Sequence, residues 1–231
     1  MGRLITSGCS FTQYCWNTWA DYLGRSNAFN EFIQVGQSGI DNATVARNIV
    51  NKAIPGDTVV VLWTGYDRWS NFVNNDWEHI GQISSNKSFF VEQFSQIERF
   101  TATIDYINYI NHHANSVGYN CYHFSAFPFL YGEMKDSDPE LLNIANKYEI
   151  TNFYCLTHID LHSFQIGRNE EIITSHKYNS HDTHPTPLTH WHFANEIVAK
   201  TLNIQIDSSI LKEVEYEQNE VLNGRIPCNN Q

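Results

Sequence analysis

The sequence predicts an α/β fold, doubly wound around a central parallel sheet. Short apolar or β-branched runs recur at residues 4–6, 32–35, 58–63, 121–124 and 152–156. Segments with apolar residues at helical spacing stand between them. The run Thr-Val-Val-Val-Leu-Trp at 58–63 is apolar without alternation, as suits a strand covered on both faces. Strands alternating with helices in this way indicate parallel pairing rather than a meander.

Taken in order, residues 4–6 form a short first strand that stops at Ser7-Gly8, and a helix over 14–23 follows. A second strand at 32–35 ends at Gly36. The helix over 41–53 repeats Ala43, Ala46, Ile49, Val50 and Ala53 at helical spacing. Pro55-Gly56-Asp57 then turns the chain into the strand at 58–63. Residues 65–90 read as a long irregular loop holding Trp69, Phe72, Trp77, His79, Phe89 and Phe90. A loop of that length in a compact domain suits a segment that covers a site. The helix over 92–113 carries Phe94, Ile97, Phe100, Ile104, Ile107 and Ile110. A helix over 141–147, the last core strand at 152–156 and a final helix over 191–202 complete the pattern. Residues 210–220 suit an edge strand or a helix, and 223–231 a frayed tail. One domain is expected over 1–205, with 206–231 as a C-terminal extension packed on it or trailing from it.

Composition narrows the function classes. The chain has 231 residues, enough for one domain with a full core. Its formal charge is −11, with 14 Lys+Arg against 25 Asp+Glu and no basic patch. Nucleic acid and anionic membrane surfaces are therefore poor partners. No apolar run approaches the length of a membrane span, and no secretory signal opens the sequence. The expectation is a cytoplasmic protein, or a signal-less one such as a phage-encoded protein. Cys9, Cys15, Cys121, Cys155 and Cys228 are odd in number and lack metal-site spacing. They read as free thiols in a reducing compartment.

The chemistry concentrates at two distant places. The first strand ends at Gly8-Cys9-Ser10-Phe11, and ligands of open α/β sheets bind beyond the carboxyl ends of strands. A serine there can be exposed, with backbone N–H groups nearby to hold an oxyanion. An alcohol nucleophile needs a base near neutral pKa, and the base needs an orienting carboxylate. His184 answers that need within Ser180-His181-Asp182-Thr183-His184-Pro185, with Asp182 two residues away. Pro185 and Pro187 stiffen this loop. The plainer reading is that Ser10 caps a helix and that Asp182 and His184 form a solvated turn.

These blocks resemble the SGNH/GDSL hydrolase superfamily. Gly8-Cys9-Ser10-Phe11 is similar to its nucleophile block, with Cys9 and Phe11 in place of the usual Asp and Leu. Val35-Gly36-Gln37-Ser38-Gly39 resembles its second block, with Gly36 a better match than Gly39 for the oxyanion-donating glycine. Asp182-Thr183-His184-Pro185 resembles the last block, one residue short between Asp and His. The third block is the poor match. Thr64-Gly65-Tyr66-Asp67 lacks the expected Asn, so Thr64, Tyr66 or Arg68 is left as the second donor.

The resemblance implies a flavodoxin-like three-layer sandwich and a serine esterase acting without metal or organic cofactor. Ser10, His184 and Asp182 are then the catalytic residues, and Ser10 and Gly36 form the oxyanion hole with Thr64 or Tyr66. Trp63, Asp67, Arg68 and Trp69 become substrate contacts. The substrate is a small-molecule or glycan ester, with an O-acetyl glycan in view because of the tryptophans.

Other readings compete. His158-x-Asp160-x-His162 is a weak zinc pattern. Cys9 is a possible thiol nucleophile, though a cysteine at a strand end is more often packing. A carbohydrate-binding or structural protein on a decayed hydrolase scaffold is the main non-enzyme alternative, and the altered third block favours it.

Overall fold

The computed structural model describes residues 2–73, 76–82, 96–127, 160–168 and 184–226. Within these, β1 (Arg3–Gly8), β2 (Glu31–Gln34), β3 (Thr58–Trp63) and a later strand, β6 (Asn120–Ser125), form one parallel sheet in the order β2-β1-β3-β6. The order reverses direction between β1 and β3, so a topological switch point lies at their carboxyl ends.

Successive residues of a strand face opposite sides of the sheet, and both sides are covered here. Ile5, Val59, Val61 and Trp63 pack with α2 (Asn42–Val50) and α3 (Gln96–Val117). Leu4, Val60, Leu62 and Phe124 pack on the other face. Their partners come from α1 (Trp19–Gly24), α4 (Leu161–Gly167), α5 (Pro187–Phe193), the π turn Ala194–Val198, α6 (Ala199–Leu202) and α7 (Leu211–Leu222). Burial on both faces explains the unbroken apolar run of β3. The result is the expected three-layer, flavodoxin-like sandwich, consistent with the SGNH fold.

Several boundaries differ from the sequence expectation, each for a local reason. The first helix starts at Trp19 rather than near residue 14. Residues after Ser10 are drawn into a turn, and Thr18 with Asp21 forms a capping box at the later start. Residues 68–73 and 76–82 are not irregular. They form an antiparallel hairpin of β4 (Arg68–Val73) and β5 (Asp76–Gln82), with a register shift at Trp69/Ser70. Polar residues between its aromatics hid the strand alternation. The final helical segment begins at Pro187, earlier than expected, because Thr186 accepts from the Thr189 N–H and proline suits the first turn. Residues 211–222 are helical. Helix α4, capped by Asp160, was not foreseen. The helix expected at 141–147 and the strand at 152–156 lie outside the described residues.

Helix α7 packs back on the body. Val214 joins the core, Val221 meets Trp16, and Glu217 accepts from the Asn17 and Tyr22 side chains. The cysteines need a correction. Cys9 and Cys121 are free and buried, but Cys15 is disulfide-bonded to a partner outside the described residues. Sequence spacing alone did not reveal that bond, because pairing depends on distances across the fold.

Candidate active site

Ser10 follows directly on the carboxyl end of β1, at the switch point. The Thr12 and Gln13 N–H groups both donate to the Cys9 carbonyl, at 2.8 and 3.1 Å, and this bends the chain around Ser10 and Phe11. Ser10 is 4% exposed, and its hydroxyl has no hydrogen-bond partner among the described residues.

The turn is held by Thr12, which sits against two glycines. A Cβ on Gly8 would run into the Thr12 hydroxyl and the Leu62 carbonyl, and one on Gly36 would lie 2.9 Å from the Thr12 methyl. Close approach therefore requires glycine at both places. The Thr12 carbonyl accepts from Thr18 Oγ1 and from Gln34 Nε2. Gly36 is thus drawn to the Ser10 turn by the extension of β2 along β1, where the Gln37 N–H reaches the Gly8 carbonyl.

His184 arrives from the far end of the sequence. It lies two residues before Thr186, which caps α5. The Trp16 indole N–H donates to the Pro185 carbonyl at 3.0 Å and ties this loop to the segment after Ser10. The His184 ring stacks on Tyr14 and meets Phe11 edge-on. The segments carrying Ser10 and His184 are therefore in contact. No Ser10–His184 hydrogen bond is formed, and Asp182 lies outside the described residues.

The third strand ends in a side-chain lock. The Asn42 amide donates to the Thr64 carbonyl at 3.0 Å and to Thr103 Oγ1, while its oxygen accepts from the Thr64 N–H at 2.9 Å. The Thr64 N–H is consumed by this lock. Its hydroxyl is buried without a partner among the described residues. Asp67 folds back over Gly65, where a Cβ would lie 2.6 Å from its carboxylate. Tyr66 meets Phe100 edge-on, and the Arg99 guanidinium lies 3.7 Å from the Trp69 ring centroid.

Trp63 stands elsewhere. It is fully buried, and its indole donates to Nδ1 of His123. That placement corrects its expected role as a substrate contact, because no part of the ring is open to a ligand. Its neighbour His123 is held between Trp63 and Asn111, and burial pulls its pKa down to about 3. His190 is also fully buried, with both ring nitrogens unpartnered among the described residues, and burial plus the charge of His184 pulls its pKa to about 3. Among the described residues no three His, Cys, Asp or Glu side chains gather to hold a metal. Asp160 caps α4, and His158 lies outside the described residues.

Thr12, Tyr14 and Asn42 escaped the sequence reading. Tyr14 had one available signal, its place four residues after Ser10. For the others the partner is remote in sequence, and nothing local marks it.

No family model matches the chain, and no curated protein matches it. Solved structures similar to it include protein YXIM of Bacillus subtilis, at 16% identity and TM-score 0.49 over 90% of this chain. This chain spans 58% of that protein's length. A Bacteroides fragilis protein assigned as an acylhydrolase is 17% identical, with TM-score 0.47 over 87% of this chain and 86% of its own. A GDSL-like lipase of Bacteroides thetaiotaomicron is 15% identical, with TM-score 0.44 over 87% of both chains.

Proposed function

We propose that the protein is a serine esterase that hydrolyses a small acyl ester, such as an O-acetyl ester on a carbohydrate. The observation that carries this reading is the packing of the His184 ring against Phe11 and Tyr14, beside the Ser10 turn at the switch point. The loop carrying His184 thus packs on the segment that follows Ser10, although the two residues are 174 positions apart, at the end of the sheet where α/β proteins bind ligands.

In this reading Ser10 Oγ attacks the ester carbonyl as His184 takes its proton. The Ser10 and Gly36 N–H groups hold the oxyanion, with Thr64 or Tyr66 as a further donor. Because the Thr64 N–H is occupied by Asn42, any donor from Thr64 is its hydroxyl. His184 passes its proton to the leaving alcohol, an acyl-Ser10 remains, and water activated by His184 releases the acid. Asp182 orients His184.

A catalytically weak or inactive binding protein on the same scaffold is the second reading. It is favoured by the burial of Ser10 and its unpartnered hydroxyl. Hydrolysis of 4-nitrophenyl acetate by the wild type and by Ser10→Ala separates the two. The esterase reading expects a loss of about 10³-fold or more in kcat on removing Ser10. Hydrolysis that survives the substitution overturns the nucleophile, and no hydrolysis by the wild type favours the binding protein.

A further inference from the structure

A small cavity opens where the first turn of α2, the first turns of α3 and the entry to β4 meet. Its polar wall comes from Asp41, Asn42, Tyr66, Arg68, Arg99 and Tyr106. Two guanidinium groups thus share one cavity with one carboxylate. That carboxylate is already engaged, since Asp41 accepts from the Thr44 N–H as the cap of α2.

Arg68 is the telling residue. Its Nε is closed off from water, and its side chain has no hydrogen-bond or ion-pair partner among the described residues. The side chain is only half-buried, but a closed-off N–H without a partner is costly, and native structures rarely keep one without a reason. Arg99 is held in place by its stacking on Trp69. Burial lowers its pKa from the ordinary arginine value. Burial raises the pKa of the Tyr106 phenol, which stays protonated and able to donate. All three groups present donors, and among the described residues of the wall two guanidinium groups face one carboxylate.

The inner space is about 10 Å³, room for about one oxygen atom. Asn42, in the cavity wall, locks Thr64 at the carboxyl end of β3. Ser10 stands at the carboxyl end of the adjacent β1, so cavity and serine belong to the same edge of the sheet.

We propose that this cavity receives one oxygen of a ligand carboxylate, held by Arg68 with Arg99 and Tyr106. Resting on the esterase reading, the substrate is then an ester that carries a carboxylate on its alcohol or its acyl portion. The cavity selects that ester over a neutral isostere.

Binding and turnover test the two claims separately. Saturation-transfer NMR on the full chain carrying Ser10→Ala compares 4-hydroxybenzoate with 4-hydroxybenzamide. The carboxylate is expected to bind roughly tenfold or more tightly. Adding Arg68→Gln removes the preference, and Arg68→Lys, which keeps the charge, retains part of it. Equal binding of the two probes, binding of neither, or a preference indifferent to both Arg68 variants overturns the site. The wild type is then given 4-acetoxybenzoate and monophenyl succinate, each beside its neutral amide counterpart. A higher kcat/KM for the first charged ester places the carboxylate on the alcohol, and for the second on the acyl portion. An Arg68-dependent binding preference without hydrolysis of any ester supports the anion site and overturns the esterase reading. Hydrolysis with no preference for charge keeps the esterase reading and overturns the carboxylate substrate.

Discussion

The imidazole of His184 lies flat on the phenol ring of Tyr14, with ring centroids 3.9 Å apart and planes 16° from parallel. Phe11 meets the same imidazole edge-on at 5.3 Å. One neighbour fixes the plane of the ring and the other limits its slide. Both come from the five residues that begin at Ser10, so the serine turn and the imidazole are positioned by the same short segment.

Removing the Tyr14 ring should loosen His184 without touching its chemistry. Aromatic stacking is worth about 0.5–1.5 kcal/mol beyond area burial. Tyr14→Ala is therefore expected to lower kcat/KM for 4-nitrophenyl acetate by up to about tenfold, and Tyr14→Phe by much less. Steady-state kinetics on both variants checks this. Equal losses in the two would assign the effect to the hydroxyl instead.

The glycines against Thr12 make a crossed prediction. Gly36→Ala puts a Cβ 2.9 Å from the Thr12 methyl, a side chain that can be trimmed. Gly8→Ala meets the Thr12 hydroxyl and, at 2.7 Å, the Leu62 backbone carbonyl, which cannot. Overpacking of this kind costs about 1–3 kcal/mol. Thr12→Ser removes only the methyl, so it should recover part of the Gly36→Ala loss and little of the Gly8→Ala loss. Urea unfolding of the three single and two double variants reads the outcome.

Asn42 satisfies both backbone groups of Thr64 from inside the fold. Asn42→Ala leaves the Thr64 N–H and C=O buried without these partners and should cost about 2–3 kcal/mol. Asn42→Asp keeps an acceptor for the N–H but cannot donate to the carbonyl, and it buries a charge. It is expected to be no milder. Denaturant midpoints for the two variants test the ranking.

The buried histidines set an acid limit on stability. His123 and His190 have folded pKa values of about 3, well below the ordinary histidine value of 6.5. Between pH 6.5 and 3 the unfolded chain binds protons that the folded chain refuses, so stability falls as pH drops through that window. Above pH 6.5 both states are neutral and the effect vanishes. His190 has no hydrogen-bond partners to lose among the described residues. His190→Leu should therefore keep or raise stability at neutral pH and flatten the acid slope. Urea midpoints measured from pH 7 to pH 4 check the sign, and an unchanged slope would refute the role of His190.

The layers of the fold were legible because burial leaves a period in the sequence. The run at 58–63 had to be covered on both faces, and the stripe from Phe100 to Ile110 had to face a core. The hairpin at 68–82 was not legible, since polar residues interrupt its alternation and its pairing depends on a register shift. The first helix began late because a turn around Ser10 took up residues whose composition suits a helix.

The sequence by itself determined the two candidate chemical blocks, Ser10 after the first strand and His184 before the last helix, because chemistry requires particular side chains. It also determined the parallel layered sheet, because hydrophobic period follows local geometry. Only the tertiary structure decided that Tyr14 and Phe11 would hold His184, that Asn42 would claim the Thr64 backbone, that Trp63 would be core, and that Arg68 would face a cavity. Those relationships join residues far apart in the chain. Their energy comes from packing and desolvation at a shared place, and no local pattern in a sequence records which distant side chain will occupy it.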